Sequence, residues 1–153
     1  MGTAAFEIAE NLRSAASDTL ENLAFTEITP REKNILDGDD EDYRGSRISL
    51  GTLGTMDLII GRDLLAEIAV VLFNPPDGNV EPDMLADTLS EILNIIAGRF
   101  LEGVFKGKSD FSLGLPEIHL DTRAWNTLPL RTVLVADGGM ELAIGMNPEA
   151  NAA

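Results

Sequence analysis

The chain contains no cysteine and only one histidine, one tryptophan and one tyrosine. Without cysteine, disulfides, thiolate metal sites and cysteine nucleophiles are all excluded. The histidine, His119, lies in a strand-like segment with no plausible ligand set, so we expect a surface or core role for it. For Trp125 we expect a buried or hinge-packing role, because a large ring is worth most when it is packed.

Long hydrophobic runs are missing as well. No window approaches the ~18 apolar residues that a membrane span needs. Glu7, Glu10 and Arg13 interrupt the first predicted helix, which excludes the apolar centre of a signal peptide. We therefore expect a cytoplasmic protein that does not contact a membrane.

Positive charge is scarce. The chain has 11 basic and 26 acidic residues, for a formal net charge of −15. Such a surface repels phosphate backbones and anionic lipid, so we expect no nucleic-acid partner. Five of the carboxylates form one short run, which is typical of a solvated loop: Asp37, Asp39, Asp40, Glu41 and Asp42.

A length of 153 residues allows one well-buried core and is too short for two ordinary domains. We therefore predict a single domain over residues 1–153. Within it we expect an acidic loop at about 31–45 and a frayed tail at about 148–153.

Hydrophobic periodicity predicts three helices and two groups of strands. The helices are expected at Ala4–Phe25, Arg62–Phe73 and Pro82–Val104. Phe25–Thr29 is β-compatible, and strands are expected at Arg47–Leu53, Thr55–Ile60, Phe111–Leu115, Pro116–Leu120, Arg131–Ala136 and Met140–Met146. Because strands and helices do not alternate regularly, the order predicts an α+β fold in which helices cover a mostly antiparallel sheet.

The third predicted helix has two distinct faces. With about 100° of turn per residue, one face is apolar and should pack in the core; it holds Leu85, Leu89, Ile92, Ile96 and Phe100. Nearly opposite lie Asp87, Glu91, Asn94 and Gly98, which we call the α3 stripe. Its spacing of i, i+4, i+7 and i+11 keeps these positions within about 60° of one another.

Helical spacing alone is what an ordinary solvated face would show. Two residues suggest that this face has a function, because both are unfavourable in a helix. Asn94 is a poor residue for a helix interior, and Gly98 costs about 1 kcal/mol relative to alanine there. Both make sense if this face must let another protein's backbone approach while the carboxamide reaches into it.

These residues also match a known motif. Asp87, Glu91 and Asn94, followed after twenty-one residues by Pro116, resemble the pattern of the CheC/CheX/FliY chemotaxis phosphatases: Asp or Ser, three residues, Glu, two residues, Asn, about twenty-one residues, Pro. The segments "NIIAG" and "GTMDLIIGRDLLAEIAVVLF" are similar to the family too. The resemblance covers roughly Ala4 to Met146, and it implies a CheC/CheX-like fold with a pseudo-repeated helix-strand arrangement.

Members with two active helices repeat the motif near the N-terminus. The equivalent positions here are Ser17, Glu21 and Ala24, where alanine replaces the asparagine and cannot orient water. This degenerate copy is most similar to the CheX-type members, which rely on one site.

The resemblance implies hydrolysis of the aspartyl phosphate of a CheY-like response regulator. In that reading Asn94 positions the attacking water, as a glutamine does in some GTPases, and Glu91 pairs with the regulator's lysine. Asp87 and Gly98 are expected to contact the partner. Mg²⁺ would be held by the regulator, so we expect no metal ligand and no bound cofactor in this chain. The family also implies a homodimer through strand pairing.

Two other readings remain open. The same fold could act as a non-catalytic binding module for a response regulator or another signalling protein. A scaffold or flagellar-motor component would instead use the exposed sheet edges. Retention of both Glu91 and Asn94 favours catalysis among these readings.

Overall fold

The computed structural model describes residues 2–24, 28–30, 42–105, 113–119, 125, 128–136 and 139–148. The helices are α1 (Gly2–Ala24), α2 (Arg62–Phe73) and α3 (Pro82–Phe105). The strands are β1 (Thr29–Pro30), β2 (Tyr43–Ser49), β3 (Thr55–Gly61), β4 (Glu117–His119), β5 (Leu130–Val135) and β6 (Glu141–Asn147). No helix among these residues is long and apolar enough to cross a membrane.

The strands form one sheet in the order β1-β5-β6-β3-β2-β4, and every described strand pair is antiparallel. The predicted α+β class and antiparallel sheet are therefore confirmed. This order has a simple symmetry: exchanging β1 with β4, β2 with β5 and β3 with β6 reproduces it in reverse. Each half is a helix followed by three strands, with α2 between the halves, so α1 and α3 occupy equivalent places.

Side chains alternate across the sheet and divide the core into two parts. In β3, Met56, Leu58 and Ile60 belong to the large core that all three helices cover. Ile59 points to the opposite face, where a smaller cluster is formed by Tyr43, Ile59, Trp125, Leu128, Val133 and Ala143. The prediction that Trp125 is packed is confirmed, since the side chain is fully buried.

Several predicted boundaries need correction. β2 begins at Tyr43, inside the loop expected at about 31–45, because it pairs along its whole length with β3. Gly51–Leu53 is a 3-10 turn and not the end of a strand, since Gly51 has a positive φ of 65° and the chain must reverse there. Residues 113–115 of the expected strand Phe111–Leu115 are irregular, and so is Pro116, the first residue of the expected strand Pro116–Leu120.

Other predicted segments include residues that the structure does not describe. Residues 25–27, 31–41, 111–112 and 149–153, which include most of the acidic loop and the tail, lie outside the described part of the chain. The remaining helices and strands agree with the predicted positions to within one or two residues.

Candidate functional site

α3 is the helix that carries the predicted site. Pro82 is its first residue and Asp83 lies in its first turn, where a fixed φ and a negative charge both favour a helix start. Its predicted apolar face lies in the core: Leu85 is partly buried, and Leu89, Ile92, Ile96 and Phe100 are fully buried. Burial of that face fixes the rotation of α3 and turns the opposite face outward.

The α3 stripe lies on this outward face. Asp87 and Glu91 are exposed, whereas Asn94 and Gly98 are half-buried. At 1.5 Å of rise per residue, the stripe extends for about 16 Å along α3. The structure thus places all four predicted residues on one accessible ridge of a rigid helix.

The exposure of the stripe differs from end to end in a way that suits two roles. The exposed carboxylate of Glu91 can move toward a partner's cation. The half-buried carboxamide of Asn94, one turn further along, is more restricted and has both a donor and an acceptor group. A group that must hold one water molecule benefits from such restriction.

Gly98 leaves open space at the surface of α3. A Cβ added there would meet no heavy atom within 4 Å, apart from the helix's own nearby backbone. Packing within the chain therefore does not explain the glycine. Close approach by another molecule's backbone would explain it, because glycine is the residue that permits such approach.

Pro116, the last motif position, directly precedes β4. Proline is tolerated at a strand start because no ladder hydrogen bond is lost there. β4 pairs with β2 and contacts α3, so Pro116 fixes where the chain joins the sheet beside α3.

The degenerate copy on α1 differs from α3 in more than its alanine. Ser17 is half-buried and Glu21 is exposed, as on a normal helix surface. However, the described part of α1 reaches only Ala24 and the chain is no longer helical at Ile28, whereas α3 continues for eleven residues beyond Asn94. The position equivalent to Gly98 is Ile28, which lies outside the helix and is buried in the core.

Sequence reasoning missed a charged pair on the second face of the sheet. Arg47 and Asp57 are direct partners across β2 and β3, and the guanidinium donates two hydrogen bonds to the carboxylate at 2.7 and 2.9 Å. Asp57 is 0% exposed. The available signal was Asp57 itself, since a lone carboxylate within an apolar strand needs a buried partner.

This pair belongs to a row that crosses the sheet. The strand register places Glu117, Arg47, Asp57, Gly145 and Arg131 at successive positions on five neighbouring strands. Charges alternate in sign along the row except at the glycine. The row stabilises the sheet and lies on the face opposite the helices, so we assign it a structural role.

Metal ligation has no support among the described residues. No group of three or more His, Asp or Glu side chains in that part of the chain is arranged to hold an ion. The described residues also contain no cysteine, in agreement with the composition. The stripe offers two carboxylates and one amide along a single helix edge, an arrangement that favours contact with a partner.

Comparison with known proteins supports the fold. No protein-family model matches the chain, and no curated protein matches it. Among solved structures, CheX from Vibrio vulnificus is 17% identical, with a TM-score of 0.67 over 91% of this chain and 95% of that one. CheX from Borrelia burgdorferi, in a complex with CheY, BeF3 and Mg²⁺, is 20% identical, with a TM-score of 0.64 over 90% and 96%.

A FliM domain shares the fold as well. The FliM middle domain from H. pylori is 13% identical, with a TM-score of 0.61 over 95% of this chain and 91% of that one. The similarity in each case covers nearly the whole length of both chains. The resemblance drawn from the motif is therefore confirmed at the level of the fold: this chain has the architecture of the CheX, CheC-like and FliM middle-domain proteins.

Proposed function

We propose that this chain accelerates hydrolysis of the aspartyl phosphate on a CheY-like response regulator. The observation that carries the proposal is the α3 stripe, in which the motif residues Asp87, Glu91 and Asn94 lie together on one outward ridge of a CheX-like fold. A CheX of the same fold forms a complex with CheY, which supports a receiver domain as the partner. A response-regulator substrate also implies a cytoplasmic location.

In this proposal, α3 enters the receiver's active site as a rigid finger. Water attacks the phosphorus, the bond to the aspartyl oxygen breaks, and the products are inorganic phosphate and the free carboxylate. The transition state is loose, so catalysis needs a positioned water and stabilised charge more than a strong base. Asn94 positions that water through its carboxamide, and Mg²⁺ on the receiver stabilises the phosphoryl charge.

The other members of the stripe serve docking. Glu91 pairs with the receiver's lysine and sets the register of α3 in the site, as opposite charges across an interface do. Asp87, one turn earlier, contacts the receiver surface. Gly98 lets the receiver's backbone approach α3 closely.

Loss of phosphate from a phosphorylated receiver tests this proposal. Wild-type chain should accelerate the loss in the presence of Mg²⁺, and Glu91→Ala should raise the receiver concentration for half-maximal rate by about tenfold. Glu7→Ala, which removes an exposed glutamate of α1, is the matched control and should leave the rate unchanged. Binding without acceleration, for every receiver of the same genome, would favour a non-catalytic binding module instead.

A further inference from the structure

The last turn of α2 is apolar on every side and exposed to solvent. Val70, Val71, Leu72 and Phe73, here called the α2 tip, are between 37% and 48% exposed. Four consecutive residues at about 100° spacing surround the helix, so they cannot all face one core. A turn that is hydrophobic all round is normally buried, and an exposed one marks a surface that another molecule covers.

The α2 tip is also the negative end of a helix. Asn74 caps α2 in the left-handed conformation, with φ of 44°, and its N–H donates to the carbonyl of Val70 at 2.8 Å. The last turn contains no basic residue, so no side chain of α2 complements the dipole there. A cation supplied from outside would be favoured at this position.

The surrounding charge has one sign. Every charged residue between Arg62 and Arg99 is acidic, and each of these side chains is exposed: Asp63, Glu67, Asp77, Glu81, Asp83, Asp87 and Glu91. Glu67 lies one turn before Val70 and Val71 on the same side of α2, since residues three and four apart are neighbours. The apolar tip therefore has an acidic flank on its own helix.

The connection after the tip adds to that flank. Arg62 and Leu65, at the start of α2, line one cavity with Pro82 and Leu85, at the start of α3. Residues 74–81 must therefore run back along α2 from its end to its beginning. Asp77 is exposed only four residues after the tip, in the turn closed by the Gly78 N–H to Pro75 carbonyl bond.

We propose that the α2 tip is a docking site for a helix of another protein that carries Lys or Arg residues beside an apolar stripe. The apolar stripe covers Val70 and Phe73, which are three residues apart and therefore neighbours on the surface of α2, and the cations meet Glu67, Asp77 and the C-terminal carbonyls of α2. At this surface a second copy of this chain is disfavoured, because two α2 tips in contact would bring together the exposed acidic residues that flank them, Glu67 and Asp77 on each copy. Anionic lipid is disfavoured for the same reason.

A synthetic peptide tests the proposal directly. The probe is an amphipathic leucine-lysine peptide of about 18 residues, long enough to form a helix, and its twin has glutamate in place of every lysine. Titration calorimetry and amide chemical shifts should show that the lysine peptide binds and perturbs Val70–Phe73, while the glutamate peptide does not bind. Asn94→Ala should bind the peptide like wild type, which separates this site from the proposed phosphatase site.

Variants of the tip provide the quantitative test. The double variant Val70→Ser with Phe73→Ser should weaken peptide binding by about tenfold or more, because truncation of central apolar contacts dominates such interfaces. Leu115→Ser, at a residue that is 88% exposed elsewhere on the surface, is the matched control and should bind normally. A second pair of changes, Glu67→Lys with Asp77→Lys, leaves the apolar tip intact and should reverse the preference toward the glutamate peptide.

Three results would overturn the proposal. If the tip substitutions leave peptide binding unchanged, the α2 tip is not part of the peptide-binding surface. If the amide chemical shifts of Val70–Phe73 change with protein concentration in the absence of peptide, a second copy of this chain covers the α2 tip. Tip-dependent binding to vesicles of anionic phospholipid would show a membrane-binding surface.

Discussion

Gly98 and Gly145 both lie in regular secondary structure, but an added methyl group would meet opposite surroundings. At Gly98 in α3 the Cβ would find open space. At Gly145 in β6 it would lie 2.6 Å from the Leu128 side chain and 3.0 Å from both the Leu130 carbonyl oxygen and Trp125 Nε1. The second glycine thus serves packing within the chain, and the first leaves room for the external contact that we propose for α3.

Alanine at each position separates these two roles. Gly98→Ala should raise the free energy of unfolding by about 1 kcal/mol, since alanine is the better helix former. Gly145→Ala should lower it by about 2 kcal/mol through overpacking. Urea unfolding measures the free energy of unfolding of both variants.

Gly98→Ala should also slow receiver dephosphorylation by about tenfold, because the methyl group obstructs the proposed interface. If the Gly98→Ala variant is more stable and fully active, the receiver's backbone does not approach α3 closely at this position.

At the scale of elements, the pair of β2 and β3 is held in register by Arg47 and Asp57. Arg47→Met should destabilise the protein by about 2 kcal/mol, because it removes two charge-assisted hydrogen bonds from a buried carboxylate. The double variant Arg47→Met with Asp57→Leu should recover most of that loss, since apolar residues often replace a buried ion pair without cost. Equal destabilisation in the single and double variants would show that the pair is not the source of the effect.

The equivalence of α1 and α3 in the fold allows a second prediction about elements. Ala24→Asn completes the motif after Ser17 and Glu21, but Ile28, at the position equivalent to Gly98, is outside the helix and buried in the core. We therefore expect that Ala24→Asn does not restore dephosphorylation when it is added to Asn94→Ala. Recovery of even a tenth of the wild-type rate would show that the missing asparagine alone inactivated α1.

The helices were predicted correctly where the hydrophobic periodicity agreed with residues that mark helix ends. α2 and α3 were placed to within a residue because proline and glycine punctuation marks their ends, and the buried face of α3 was identified for the same reason. The row through Arg47 and Asp57 could not be predicted, because it depends on strand register over long range. The α2 tip was missed because a continuous apolar run looks like core until its surroundings are known.

At the scale of the whole molecule, the described sheet has two short edges, β1 at one side and β4 at the other. Pairing of equivalent edges from two chains would form one continuous sheet, which is the homodimer that we propose. Light scattering during size exclusion should give twice the chain mass of 16.4 kDa. A mass equal to a single chain across the micromolar range would refute the dimer.

The net charge of −15 bears on how the molecule meets its partner. Because the whole surface field is negative, encounter with a receiver depends on local cations, such as the lysine that Glu91 is proposed to contact. In the proposed reaction, dephosphorylation would depend on the α3 stripe, while Mg²⁺ would be held by the receiver.

The most direct test of this account is the rate of phosphate loss from a phosphorylated receiver at saturating concentrations of Asn94→Ala. If Asn94 positions the water, the variant should bind the receiver with wild-type affinity while the stimulated rate falls by about 100-fold, as expected when a positioned reactant is lost. A stimulated rate that survives in Asn94→Ala would contradict the central role assigned to that residue.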